Sequence, residues 1–164
     1  MANNMKIAIR VDSSSEIGTG HVVRCLTLAN ELKLNDVTVW FLCRRLSGDI
    51  TSSIEASGFQ VMTLGKREGE DSGDFSSHYC ENDAQQVAEF CLSLAIDLVI
   101  LDHYFLDLEW ERAVKQHCKL MCISDFPSRP RACDMLLDQS LYRVEDDYRF
   151  LVEDSCMLTL GSDY

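Results

Sequence analysis

Proline is scarce in this 164-residue sequence, at two residues, and its eight glycines are scattered. That sparsity excludes collagen-like, proline-rich and low-complexity chains. No apolar run is long enough to span a bilayer, no segment repeats, and no secretory signal pattern opens the sequence. The expectation is a soluble, cytoplasmic protein with no membrane partner. Cations are also short: 15 Lys and Arg against 27 Asp and Glu leave a net charge of −12. That balance argues against a nucleic-acid partner, because binding phosphate backbones takes clustered Lys and Arg. Eight cysteines are present, but no Cys-x-x-Cys pair. Without a secretory signal they do not read as a disulfide framework. His117, Cys118 and Cys122 would share a face only if one helix carried all three, and a strand is expected to begin between them, so no metal is assigned. Most of the cysteines read as buried thiols acting as small apolar side chains.

What is present is a regular alternation of strand and helix signals. With 46% hydrophobic residues, a chain of this length buries about 70% of its unfolded surface and reads as one domain, 1–164. Strands are expected at Lys6 to Val11, Val37 to Cys43, Phe59 to Leu64, Asp97 to Asp102 and Lys119 to Ser124, with short late elements at Cys133 to Ser140, Tyr148 to Val152 and Cys156 to Leu160. Helices are expected after His21, from Ser47-Gly48-Asp49 to Ser57, from Asn82 or Asp83 through Leu94, and over Leu106 to Cys118. The polar stretch Lys66 to Cys80 reads as a surface loop, with a lid as one role for it. Arg44 and Arg45 read as a solvated strand end. The fold class is α/β: a doubly wound, mainly parallel sheet of about six or seven strands flanked by helices.

The chain is organised around Ile17-Gly18-Thr19-Gly20-His21-Val22-Val23-Arg24, which follows the first strand. Val22, Val23, Leu26, Leu28, Ala29 and Leu32 then recur at helical spacing, so Gly18, Thr19 and Gly20 form a strand-to-helix turn and His21 falls in the first helical turn. A helix N-terminus carries unpaired N–H groups and the positive end of the peptide dipoles, so it attracts anions and disfavours imidazolium. A histidine there tends to stay neutral and to serve as a base. The glycines let a ligand approach the backbone. Arg24, three residues on, shares the face of His21 and can reach the same ligand. Asp12 has two readings, one orienting His21 and one as a turn residue. The fourth strand ends in Asp102-His103-Tyr104, at the carboxyl edge where open α/β sheets bind ligands. Tyr104 reads as a substrate contact, Asp102 as a possible cap of the next helix, and His103 as solvent-facing.

The segment Ile17 to Ala29, preceded by Arg10-Val11-Asp12-Ser13-Ser14, resembles the N-terminal signature of the pseudaminic-acid pathway nucleotide-sugar hydrolases, which act on UDP-2,4-diacetamido-2,4,6-trideoxy-β-L-altropyranose and are related to the GT-B glycosyltransferases. Asp102-His103-Tyr104 is similar to that family's segment facing the sugar, with Phe105 where a small residue is common. Cys133 to Ser140 is similar to its Asp-x-Leu-Leu-Asn/Asp-x-Asn turn, with Ser140 in place of the frequent asparagine. Leu160-Gly161-Ser162-Asp163-Tyr164 resembles its Leu-Gly-x-x-Tyr, beyond which the family continues into a second domain.

The resemblance implies the Rossmann-like N-terminal domain of a GT-B type enzyme, with the C-terminal nucleotide-binding domain absent from this chain. It implies release of UDP and the free diacetamido sugar with inversion, in pseudaminic acid biosynthesis for flagellin glycosylation, with no cofactor. His21 is the expected base, and Gly18, Thr19, Gly20, Asp12, Arg24 and Tyr104 are the expected substrate contacts. The chain alone is expected to fold but not to turn over a UDP-sugar, since the missing half would supply the nucleotide contacts. Two other readings stay open: the acceptor-binding half of a related glycosyltransferase, and a one-domain binding module without catalysis.

Overall fold

A computed structural model describes residues 4–65 and 77–162. In chain order it has β1 (Lys6–Val11), α1 (Gly20–Leu34), β2 (Thr38–Cys43), α2 (Thr51–Ala56), β3 (Gln60–Thr63), α3 (Ser77–Leu94), β4 (Leu98–Asp102), α4 (Leu108–Lys115), β5 (Lys119–Ile123), β6 (Met135–Asp138) and β7 (Met157–Leu160). The strands form one sheet in the order β3-β2-β1-β4-β5-β6-β7, every pairing parallel. The chain first winds outward through β2 and β3, then returns to the other side of β1 for β4 and continues to β7. The winding therefore reverses between β1 and β4, whose carboxyl ends are in register at Val11 and Asp102. A crevice opens at such a reversal because the flanking loops leave in opposite directions.

Alternation along the central strands sorts their side chains between two layers. Ile7, Ile9 and Val11 point to the layer that holds Val22, Cys25 and Ala29 of α1 and Ile54 of α2. Ala8 points the other way, toward Val87 and Cys91 of α3 and Trp110 and Val114 of α4. Arg10 follows Ala8 onto that second face, where a guanidinium is fully buried. It survives there because every face of it is met. Its Nε and Nη2 donate to Asp83 at 3.0 and 2.7 Å, Nη1 and Nη2 to Asp12 at 2.6 and 2.8 Å, and Nη1 to the Leu42 carbonyl at 3.3 Å. Asp83 also accepts from Trp110 Nε1 at 2.9 Å and Arg44 Nε at 3.3 Å, while the Arg44 guanidinium lies 3.8 Å over the Tyr79 ring.

Several sequence expectations are corrected here. Helix α3 begins at Ser77 rather than near Asn82, because Tyr79 and Cys80 extend its buried face back by a turn. The rest of the expected loop and lid, residues 66–76, lies outside the described residues. Helix α4 starts later than expected, at Leu108, because Asp107 accepts the Trp110 N–H at 2.9 Å and caps it. Tyr148 to Val152 forms turns rather than a regular element, pinned by the buried Tyr148 hydroxyl donating to Asp138 at 2.7 Å. Arg44 is buried rather than solvated, since Asp83 and Tyr79 draw it inward; Arg45 is exposed as expected.

Truncating one partner of a buried charge network strands the others. Asp83→Ala should lower the unfolding free energy by about 3–5 kcal/mol in a denaturant titration, and a loss under about 1 kcal/mol would contradict this account. Burial alone would raise the Asp12 pKa, but the Arg10 charge and the His103 and Arg10 hydrogen bonds override it and hold the carboxyl well below the carboxylate range. Its contribution is therefore present above the unfolded value of about 4 and is lost as pH falls toward the folded one. Stability measured against pH should decline on the acid side, with a shallower slope in Asp12→Asn.

Candidate functional site

The site lies at the winding reversal, between the carboxyl ends of β1 and β4. The loop leaving β1 is held by its serines: Ser14 Oγ accepts the Glu16 and Ile17 N–H groups at 3.1 and 3.0 Å, and Gly18 N–H returns to the Ser14 carbonyl at 2.8 Å. Ser13 Oγ accepts the Ile50 N–H at 3.0 Å and Ser15 N–H reaches the Ser47 carbonyl at 2.9 Å, tying this loop to the one after β2. Gly18 closes the turn at φ +83°, a left-handed conformation that a side chain would strain. Thr19 then caps α1 in position only, for its side chain makes no capping bond. Among the described residues no acceptor meets the N–H groups of Gly20, His21 and Val22. A Cβ on Gly20 would meet nothing within 4 Å. The helix end is thus open, with partial positive charge facing the crevice.

His21 stands on that first turn with most of its ring covered. Its Nδ1 is 3.6 Å from Asp102 Oδ1, and its ring meets the Tyr104 ring edge-on at 4.5 Å. Asp102 is a buried strand-end residue that follows Leu98 and Ile100 onto the α1 face. Arg24 grips it with Nε and Nη2 at 2.9 and 2.7 Å, and its Nη1 reaches Asp125, beyond β5, at 2.6 Å. The Tyr104 hydroxyl donates to the same Asp125 at 2.8 Å. Burial would raise the Asp125 pKa, but the Arg24 and Tyr104 hydrogen bonds hold it below the ordinary value. The bond to Asp125, aided by burial, keeps the proton on Tyr104, which therefore serves as a donor. Arg24 with Asp102 and Asp125 sums to one net negative charge beside the imidazole.

The structure places Gly18, Thr19, Gly20, His21 and Arg24 beside Tyr104 at the carboxyl end of the sheet, and separates Asp12 from them. Asp12 is buried on the opposite face of the sheet, where Arg10, the Arg44 N–H at 2.8 Å and His103 Nε2 at 3.1 Å take its oxygens. The carboxylate beside His21 is Asp102, expected from the sequence as a cap of the next helix within the segment that resembles the family's sugar-facing loop. The β period carried the signal: Asp102 shares the parity of Leu98 and Ile100, so it had to face α1. Arg24 is spent on two carboxylates rather than left free for an anion. His103 does not face solvent. Its Nδ1 accepts the Phe105 N–H at 3.1 Å, so the proton sits on Nε2 and is donated to Asp12, and burial pulls its pKa below the ordinary value against the pull of that bond. Asp125 had no sequence signal, since it meets the others only through the pairing of β5 with β4. A groove of about 500 Å³ lies elsewhere, between α3 and α4 beside Trp110 and Leu92. It holds no arrangement comparable to His21 and Asp102.

No family model matches the chain. It is 29% identical, over 161 residues, to the UDP-2,4-diacetamido-2,4,6-trideoxy-beta-L-altropyranose hydrolase of Campylobacter jejuni, a match covering 98% of this chain and 51% of the relative. It is 28% identical over 124 residues to an uncharacterized protein of Methanocaldococcus jannaschii, covering 76% of this chain and 22% of that one. Among solved structures it superposes on Acinetobacter baumannii MurG with a TM-score of 0.62 at 9% identity, covering 95% of this chain and 45% of MurG. A glycosyltransferase of Rickettsia africae gives 0.55 at 11% identity, covering 90% and 48%. Over the part of these structures that it covers, the chain shares their fold, a Rossmann-like α/β domain. It spans about half the length of the hydrolase relative.

The two glycines should respond in opposite ways. Gly18→Ala places a side chain in the left-handed region and should cost about 1–2 kcal/mol. Gly20→Ala enters open space and should stay within about 0.5 kcal/mol of the parent in thermal melts. Equal destabilisation by both would show that the open space over Gly20 is filled in the folded protein.

Proposed function

We propose that this chain is the catalytic half of a sugar-nucleotide hydrolase that releases UDP and 2,4-diacetamido-2,4,6-trideoxy-L-altrose for pseudaminic acid biosynthesis. A second, nucleotide-binding domain completes the enzyme. The observation that carries the reading is His21 at an open helix end with Asp102 at its back, within a stretch alike along nearly its whole length to the Campylobacter hydrolase. The glycosyltransferase fold and the crevice at the winding reversal are consistent with a sugar nucleotide lying across the strand ends.

The chemistry follows from the two electrostatic sides of the crevice. Asp102, behind Nδ1, favours the tautomer that leaves Nε2 free to take a proton from water. That water attacks the anomeric carbon as the bond from C1 to the diphosphate oxygen breaks, and the electron pair leaves with UDP. The net negative cluster of Asp102, Arg24 and Asp125 stabilises the imidazolium that forms. The open N–H groups of Gly20 to Val22 oppose charge gathering on the departing diphosphate. UDP is already a good leaving group, so orientation of water and stabilisation of the diphosphate are what the site has to supply. Tyr104, a fixed donor with an exposed ring, lies against the sugar.

The glycosyltransferase reading is favoured by the fold alone, and uses the same base to deprotonate an acceptor hydroxyl. Product analysis separates the two: free sugar formed without an acceptor supports the hydrolase. In a protein carrying both domains, His21→Asn should lower kcat by about 10²–10⁴ with little change in KM. Asp102→Asn should lower it by less, because the ring keeps its place but loses the charge behind it. Near-normal kcat in purified His21→Asn would remove His21 from the mechanism.

A further inference from the structure

A second polar cluster lies beyond β5 and has no part in the chemistry above. Arg129 Nη2 stands 3.3 Å, and Arg131 Nε 2.9 Å, from one and the same oxygen, Oε1 of the fully buried Glu111 on α4. The other oxygen of Glu111 accepts the Ala132 N–H at 2.7 Å, and Arg129 Nη2 donates to the Leu106 carbonyl at 2.6 Å. One carboxylate thus faces two guanidinium groups, leaving a positive charge in excess. The contact of Arg131 Nε with Glu111 Oε1 is an ion pair without hydrogen-bond alignment, and among the described residues Arg129 Nη1 and Arg131 Nη2 are buried with no hydrogen-bond acceptor. The Cys122 sulfur and, beyond it, Cys133 also act on Arg131. Burial and the neighbouring Arg131 charge pull the Arg129 pKa down against Glu111 and Asp107, whereas Cys122 and Glu111 hold the Arg131 pKa above its ordinary value against burial.

Unpaired N–H groups on a buried cation are costly, and a bound anion removes that cost. Both arginines line a cavity of about 210 Å³ with Ser124, Ser128, His103 and Tyr104. Asp125 lines it too, but its oxygens are held by Arg24 and Tyr104. The volume is below that of a typical small-molecule pocket and suits one substituent of a ligand. We propose that this cavity is an oxyanion subsite, in which Arg129 and Arg131 take a phosphoryl or carboxylate group of a small ligand whose remainder reaches Tyr104 and His21. The subsite does not depend on the hydrolytic reading, and binding can be measured without turnover, so either can fail alone.

The test follows the arginine Nε–H signals by proton–nitrogen correlation spectroscopy during titration with inorganic phosphate and, separately, acetate at constant ionic strength. The Arg129 and Arg131 signals should move saturably with at least one anion, while that of Arg112, exposed on α4, should not. The tighter of the two anions names the group recognised. Arg129→Gln, which leaves the Arg131–Glu111 pair in place, should weaken binding about tenfold. If that variant does not fold, Ser128→Glu, an exposed change that puts a carboxylate at the cavity mouth, should abolish the shifts instead. Absence of saturable movement with both anions would mean that water fills the cavity, and would overturn the proposal. So would shifts confined to the Gly20 and His21 amides, or an affinity unchanged in both variants.

Discussion

The buried contact of Arg10 with Asp12 and Asp83 is the constraint on which the rest of the structure depends. A guanidinium in a central strand would be intolerable if unpaired, so Arg10 fixes where its partners must be. Asp83 brings α3 against the sheet, and through Trp110 brings α4 with it. Asp12 fixes the chain just beyond β1, holds the Arg44 N–H just beyond β2, and takes the His103 proton just beyond β4. Three neighbouring strand ends are therefore locked to one another through a single carboxylate. Replacing the whole cluster with apolar residues of like shape is often neutral for stability in other proteins, so the value of this one lies in positioning.

What it positions is the other face of the same strand ends. His103 and Asp102 are adjacent, and the strand period turns them to opposite sides: His103 into the Arg10 network, Asp102 toward α1. The cluster that holds the sheet edge and the pair that can do chemistry are thus two faces of one peptide. The overall charge of −12 is a poor guide at this scale, since fields from exposed charges fade over about 8 Å at physiological salt. Open amides at α1, a net negative trio behind His21 and a net positive pair at Arg129 and Arg131 make three local environments within one edge.

Much of the fold was legible in the sequence because its signals are local. The apolar run Leu98 to Leu101 could only be a central parallel strand, and Gly18 to His21 could only be a strand-to-helix turn. Local signals fail where tertiary pairing overrides local polarity. Arg44 looked solvated because its partner Asp83 is distant in sequence, and the first turn of α3 looked like loop because its buried Tyr79 and Cys80 sit in polar sequence. At the site, His21 was legible from its place on the helix, whereas the exchange of Asp12 for Asp102 required the register of β1 with β4. Asp125 and the arginines of the second cavity were not legible, since proximity there arises only from strands paired side by side.

In the proposed chemistry, water activated at His21 attacks the sugar carbon rather than phosphorus. The most direct measurement is hydrolysis of the UDP-sugar in oxygen-18 water by a protein carrying both domains, with the released UDP read by phosphorus NMR. Attack at carbon leaves the β-phosphorus signal unshifted, because every oxygen of UDP came with the substrate. An isotope-shifted β-phosphorus signal would mean cleavage at phosphorus and would contradict the account.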